Sequence, residues 1–178
     1  HVHVCLDIQS DDERIEWMVL ENQGFGIAVS TGRNRNIEKH ELLGTEAVCL
    51  LPASHRLAGN EFISPEDLVG ENFISYFEGS IFKNDIDKAF NTAKVRRLTR
   101  YEGKTTGAII GMVGAGLGVS IIDSGFGAGS FDPRCITIPF KPAIPYTAEL
   151  LWSTQRDLSA IQNEFLNMVR EEYGDLDI

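Results

Sequence analysis

The sequence predicts an α/β fold built on a largely parallel sheet. Strand-like and helix-like segments alternate along most of the chain, and every parallel pair of strands needs such a crossover. With 178 residues, 43% of them apolar and 24% charged, the chain is large enough to bury a sizeable core and sits near the globular average. No internal repeat and no low-complexity linker interrupts the alternation.

Val2, Val4, Leu6 and Ile8 alternate with His3, Cys5 and Asp7, the period of a half-covered strand. Ser10 or Asp11 then caps a helix carrying Ile15, Met18 and Val19, with acidic residues in its first turn. Residues 25 to 29 read as a strand and 30 to 36, rich in Gly, Asn and Arg, as a loop. Ala47 to Leu51 is a short buried-type strand ended by Pro52. Ser64-Pro65-Glu66-Asp67 offers a cap, a proline at the first helical position and a carboxylate three residues after the cap, which marks a short helix.

Phe73 to Phe77 is the next strand, and Gly79-Ser80 opens a helix with Phe82, Ile86, Ala89 and Phe90 on one face. Val95 to Tyr101 reads as a strand, and Thr105-Thr106 opens a helix bearing Ile109, Ile110, Met112 and Val113. Val119 to Ile122, Cys135 to Ile138 and Ala148 to Trp152 are further strands. Leu158, Ile161, Phe165, Met168 and Val169 form the core stripe of a closing helix.

Charge and cysteine usage exclude several roles. Sixteen basic against 26 acidic residues leave a net charge of −10, a field that repels phosphate, so these residues are a poor grip for DNA or an anionic membrane. Cys5, Cys49 and Cys135 are odd in number and lie far apart in apolar runs, which fits small buried hydrophobes in a reduced compartment better than a disulfide framework. No apolar run approaches the roughly 18 residues of a membrane span. The chain opens His1-Val2-His3 without methionine, which reads as a fragment.

Catalytic signatures are missing. The glycines from Gly111 to Gly118 follow a helix and precede a strand, the reverse of a dinucleotide-binding loop, so they read as a helix stop with close packing on the sheet. Ile121-Ile122-Asp123-Ser124-Gly125 matches half of an aspartic-protease pair, but a single copy lacks the second carboxylate and reads as a strand end with a turn, from which Asp123 can still face a ligand. His1 and His3 could bind adventitious metal at the start of the chain, and His40 and His55 stand alone, so neither a dedicated metal site nor a cofactor is expected.

What remains is a repeated junction of strand, Ser or Thr, and helix, at Ser10, at Gly79-Ser80 and at Thr105-Thr106. Each places a hydroxyl and unpaired backbone N–H groups at a positive helix end. Three in one α/β chain point to a small anionic or zwitterionic ligand held at the carboxyl edges of strands. Such a site needs no nucleophile, which favours a binding module over an enzyme.

The run Ala47-Val48-Cys49-Leu50-Leu51-Pro52-Ala53-Ser54-His55-Arg56-Leu57-Ala58, followed by Ile63-Ser64-Pro65-Glu66-Asp67-Leu68, resembles the effector-binding domain of LysR-type transcriptional regulators, where a strand ends in P-x-x-H-P-L-A before a short D-L helix. Phe73-Ile74-Ser75-Tyr76 with Gly79-Ser80, then Met112 to Val119 before a strand ending at Asp123, then the late strand and closing helix continue the match in order. The resemblance implies a type 2 periplasmic-binding-protein-like fold. Two Rossmann-like lobes, about 1–48 with 150–178 and about 49–149, are joined by two crossover strands, with a ligand cleft between them. It also implies a cytoplasmic, non-enzymatic homodimer or homotetramer that binds a small carboxylate or amino-acid-like effector. DNA would be gripped by a helix-turn-helix domain not present here. Ser10, Asp11, Ser30, Gly79, Ser80, Thr105 and Thr106 carry over as ligand contacts, and the His55-Arg56-Leu57-Ala58-Gly59 run looks like members that sense opines and related amino acids. Arg56 departs from the family's usual proline, and Gly24 stands where an acidic residue is general. An exported solute-binding protein of a transporter shares the fold and is the alternative. An enzyme such as a prephenate dehydratase also shares it, but no Thr-Arg-Phe motif or acid and base pair appears.

Overall fold

The structure, a computed structural model of the chain, describes residues 2–6, 24–29, 35–125 and 132–174. The chain divides into two compact units, His1–Leu43 with Thr147–Ile178, and Gly44–Tyr146. The long strands β2 (Ile37–Pro52) and β7 (Pro145–Ser153) each contribute to both.

In the first unit, β1 (Gly26–Val29) pairs antiparallel with β7, Gly26 opposite Leu151 and Val29 opposite Ala148. The Lys39 ammonium on β2 pairs with the Glu149 carboxylate on β7 at 2.8 Å. The last helix, which we number α3 (Ala160–Tyr173), starts from a capping box. The Ser159 hydroxyl accepts from the Gln162 N–H at 3.3 Å, and the Gln162 side chain accepts from the Ser159 N–H at 2.9 Å. Leu150, Trp152, Leu166 and Val169 form a small core, with Phe25, Leu42 and Leu158 packed against it.

The expected stripe on this helix is only partly right. Val169 is buried and Leu158 half-buried, but Ile161, Phe165 and Met168 are 58%, 41% and 62% exposed, and the buried Leu166 was not in the predicted set. The 3.6-residue period finds a wide apolar stripe, whereas the tilt of the helix on its sheet decides which edge is covered. The opening strand fails as well: residues 2–6 hold no regular structure, and Val2, Val4 and Leu6 are exposed. Alternation assigns faces to a strand but supplies no pairing partner. The predicted helix after Ser10 and the loop at 30–34 lie outside the described residues.

In the second unit, β3 (Asn72–Tyr76) and β4 (Leu98–Gly103) pair in parallel across α1 (Ile81–Thr92). The helix α2 (Thr106–Gly114) returns the chain to β5 (Ser120–Asp123), whose lead-in Val119 bridges Phe73 in parallel. β2 lies between β5 and β6 (Cys135–Pro139) and runs antiparallel to both. The sheet is therefore mixed rather than largely parallel. Neighbours separated by an α-helix are parallel, while β2 meets strands that no helical crossover links to it. The strand expected at 95–101 lies at 98–103, because Ala93 to Val95 are used in ending α1.

One continuous core fills this unit. Cys49, Leu51, Ile63, Ile74, Ile109, Ile121 and Ile122 are all fully buried. Ser120, also fully buried, donates to the Ile74 carbonyl at 2.7 Å and ties β5 to β3. The glycine run does what its position after a helix suggests. Gly116, at φ +76, ends α2, and a Cβ on Gly118 would stand 2.3 Å from the Asn72 carbonyl oxygen, so only glycine lets the chain approach β3 there.

Candidate functional site

The carboxyl ends of β3, β4 and β5 lie side by side in the second unit and bring several predicted residues to one edge. α1 begins just past β3. Its N-cap is Ser80, whose hydroxyl accepts from the Lys83 N–H at 3.5 Å, after a turn through Gly79 at φ +94 that only glycine adopts freely. α2 begins just past β4, with the Thr105 hydroxyl accepting from the Ala108 N–H at 3.2 Å. Both helices thus present capped N-termini whose first N–H groups point out of the sheet edge.

Thr106 and Asp123 are drawn together by a residue the sequence reading did not single out. The Tyr76 hydroxyl, at the end of β3, lies 2.8 Å from the Thr106 hydroxyl, which is 3.4 Å from the Asp123 carboxylate at the end of β5. The Thr106 hydroxyl donates its one proton to Asp123, so in the Tyr76–Thr106 bond it accepts and Tyr76 donates. Burial, with Asp123 and Tyr146 beside it, pushes the Tyr76 phenol up from its ordinary value despite the Thr106 hydrogen bond, which keeps it a neutral donor. Asp123 is 2% exposed. Phe82 on α1 meets Tyr76 edge-on at 5.4 Å and Tyr146 at 5.2 Å, which fixes the start of α1 against the relay. The sequence places Phe82 on the apolar face of a helix and Tyr76 in a strand, and does not single out Tyr146. The available signal was a tyrosine closing a strand three residues before a Gly-Ser helix start.

Gly79, Ser80, Thr105, Thr106 and Asp123 therefore belong to one strand edge, with Thr106 and Asp123 in direct contact. Ser10, Asp11 and Ser30 lie outside the described residues.

The His55-Arg56 motif plays a different part. Arg56 Nε donates to Glu71 at 2.8 Å and its Nη2 donates to the Asp67 carbonyl at 2.9 Å, while His55 Nε2 stands 3.2 Å from Glu71. Asp67 also accepts from the Ser64 N–H and hydroxyl, at 2.8 and 2.9 Å. The motif braces the turn after β2, and the arginine in place of a proline supplies two of its bonds. Cys49 lies in the core below it, where burial pushes its thiol up from the ordinary value and leaves it unreactive. Among the described residues no group of three or more His, Cys, Asp or Glu side chains is placed to hold a metal ion, and no helix is long and apolar enough to cross a membrane.

This arrangement has relatives. The transcriptional activator protein LysR of Escherichia coli (strain K12) is 27% identical over 150 residues, 84% of this chain and 48% of that protein. The regulatory protein NocR of Agrobacterium tumefaciens (strain T37) is 28% identical over 165 residues, 92% of this chain and 55% of that one. The chain spans about half the length of these curated relatives. In fold it resembles the regulatory domain of CcmR from Synechocystis PCC6803 in complex with 2-PG, with a TM-score of 0.82 at 18% identity over 97% of this chain and 84% of that one. It also resembles the effector binding domain of QuiR in complex with shikimate, with a TM-score of 0.77 at 17% identity over 93% of this chain and 78% of that one. The fold is thus the type 2 periplasmic-binding-protein-like α/β fold that the sequence motifs implied. The model of the LysR substrate binding domain matches residues 1–174, nearly the whole length, and the chain belongs to that family.

Proposed function

We propose that this chain is the ligand-sensing domain of a bacterial LysR-type regulator and that it binds a small carboxylate, most specifically an amino-acid-like one. The observation that carries this reading is the Tyr76–Thr106–Asp123 relay set beside two hydroxyl-capped helix starts. Helix N-termini favour a carboxylate through their exposed N–H groups and positive end. Asp123 repels a second carboxylate and favours an ammonium group, so the two features together suit the two ends of a zwitterion. Gly79, Ser80, Thr105, Thr106 and Asp123 are the contacts assigned in this unit, with Ser10, Asp11 and Ser30 as the remaining candidates.

Nothing in this chemistry calls for turnover. The curated relatives are regulators. In the full protein, cytoplasmic and assembled as a homodimer or homotetramer, ligand occupancy would change how a helix-turn-helix domain holds DNA.

Calorimetric titration of the full-length protein with amino acids, opines and simple dicarboxylates tests the proposal. A saturable heat is expected for at least one amino-acid-like ligand. Thr106→Val should weaken it roughly tenfold, the worth of one hydrogen bond to a charged group, and Asp123→Asn should weaken zwitterions more than plain carboxylates. No heat with any carboxylate, together with no promoter binding, would sink the proposal.

A further inference from the structure

The two helices of the second unit end in the same way but with different residues. Each closes with a pair of bonds that wrap the last turn. In α2 the Gly116 N–H donates to Val113 and the Leu117 N–H to Met112, at 2.8 and 3.2 Å. In α1 the Lys94 N–H donates to Asn91 and the Val95 N–H to Phe90, both at 3.0 Å. This motif puts one residue in the left-handed region, and glycine is its usual occupant. In α2 that residue is Gly116; in α1 it is Lys94, at φ +58. A side chain is disfavoured there, so a lysine in a glycine's position points to a use for the side chain itself.

Lys94 lines a surface groove of about 480 Å³ together with Asp87, Asn91, Arg96, Arg97 and Thr99. Three cations face one acid in a chain whose net charge is −10. The acid is already engaged, because Asp87 accepts from Lys83 at 2.9 Å and pairs with Arg97 Nη2. The Arg97 side chain is 12% exposed, and its guanidinium lies over the rings of Phe73 and Phe90 at 4.9 and 4.8 Å. Its Nη1 is buried and finds no acceptor among the described residues. A buried guanidinium N–H without an acceptor is costly, which leaves the positive charge of Arg97 beside the groove only partly compensated.

We propose that this groove binds a small phosphate-bearing ligand. The groove lies at the amino end of β4, and the Tyr76–Thr106–Asp123 relay lies at the carboxyl ends of the same parallel strands, so the two sites are separate. Phosphate fits better than a carboxylate. Guanidinium groups match phosphate oxygens in a forked geometry, and three cations with one neutralised exceed what a single negative charge needs. A concave groove of this size admits a phosphate monoester with a short organic part, and the chain's net charge of −10 disfavours a polyanionic duplex.

The test uses the full-length protein at constant ionic strength, titrated with orthophosphate and with glycerol phosphate by calorimetry or amide chemical shifts, with potassium chloride as the reference salt. Saturable binding is expected, tighter for glycerol phosphate. Lys94→Gly and Arg96→Gln should each weaken it roughly tenfold, as loss of a charge-assisted contact does. Lys94→Gly should also raise the melting temperature, since glycine relieves the left-handed residue, so loss of binding there is not loss of fold. Thr106→Val should leave phosphate binding unchanged, which separates this site from the carboxylate site. No saturable response, a response untouched by both groove variants, or a response to duplex DNA alone would overturn the proposal.

Discussion

The two compact units bury their apolar residues to different extents. In Gly44–Tyr146, residues from β2, β3, α1, α2, β5 and β6 meet in one continuous cluster, in which Phe73, Phe90 and Ile121 have essentially no exposure. In the unit of His1–Leu43 with Thr147–Ile178, the described residues form two small clusters, and half of the apolar stripe on α3 faces outward. Both helical faces looked alike as patterns of hydrophobic residues. The difference teaches that an amphipathic period reports a demand for cover, whereas the cover itself depends on which elements fold over it.

The contrast has measurable consequences. Phe73→Ala or Ile121→Ala, made in the second unit, should cost about 3–5 kcal/mol in denaturant unfolding, because a cavity is added to the lost transfer energy. Phe165→Ala on α3 should cost only about 1 kcal/mol, since the ring is 41% exposed and touches chiefly Phe25 at 4.8 Å. Equal losses at the two places would break the comparison.

Gly118→Ala sharpens it. The new methyl would collide with the Asn72 carbonyl, an atom of the backbone that cannot swing away, and the expected loss is about 1–3 kcal/mol by thermal denaturation. Gly59→Ala, where an added Cβ meets nothing within 4 Å, should be nearly neutral and serves as the control.

Alkaline titration gives the smallest effect. Cys49 and Tyr76 both sit in the second unit and are both held protonated by burial, above ordinary values of 9.0 and 10.0. The unfolded chain loses these protons first, so it binds fewer than the folded chain once the pH passes 9.0 and then 10.0. Stability is therefore full below pH 9.0 and falls as pH rises through those values. Cys49→Ala and Tyr76→Phe should each flatten that fall.

The sequence was most legible where local chemistry fixes the answer. Ser80 and Thr105 are caps because each hydroxyl meets the N–H three residues ahead, a relation contained within one turn. The motifs that carried the family resemblance, such as the run from Ala47 to Ala58 and Ile63 to Leu68, are likewise short stretches of sequence. What could not be read was anything that depends on pairing across the sheet. The Tyr76–Thr106 contact joins residues 30 positions apart and the Thr106–Asp123 contact joins residues 17 apart, so no spacing rule announces them. The antiparallel setting of β2 between β5 and β6 was hidden for the same reason, and so was the lysine at the end of α1, since its left-handed backbone shows only once the helix boundary is known.

β2 runs unbroken for 16 residues. Its second half is held on both sides, Cys49 and Leu50 facing β5 and β6 at once, while its first half neighbours β7, with Lys39 paired to Glu149 and His40 buried. The two halves belong to two compact units with cores of different size, so amide protons along this single segment should exchange on two separate clocks, the late residues with the larger core and the early ones with the smaller. A strand shared in this way lets one part of the chain loosen and re-form many times while the register of the other is never lost.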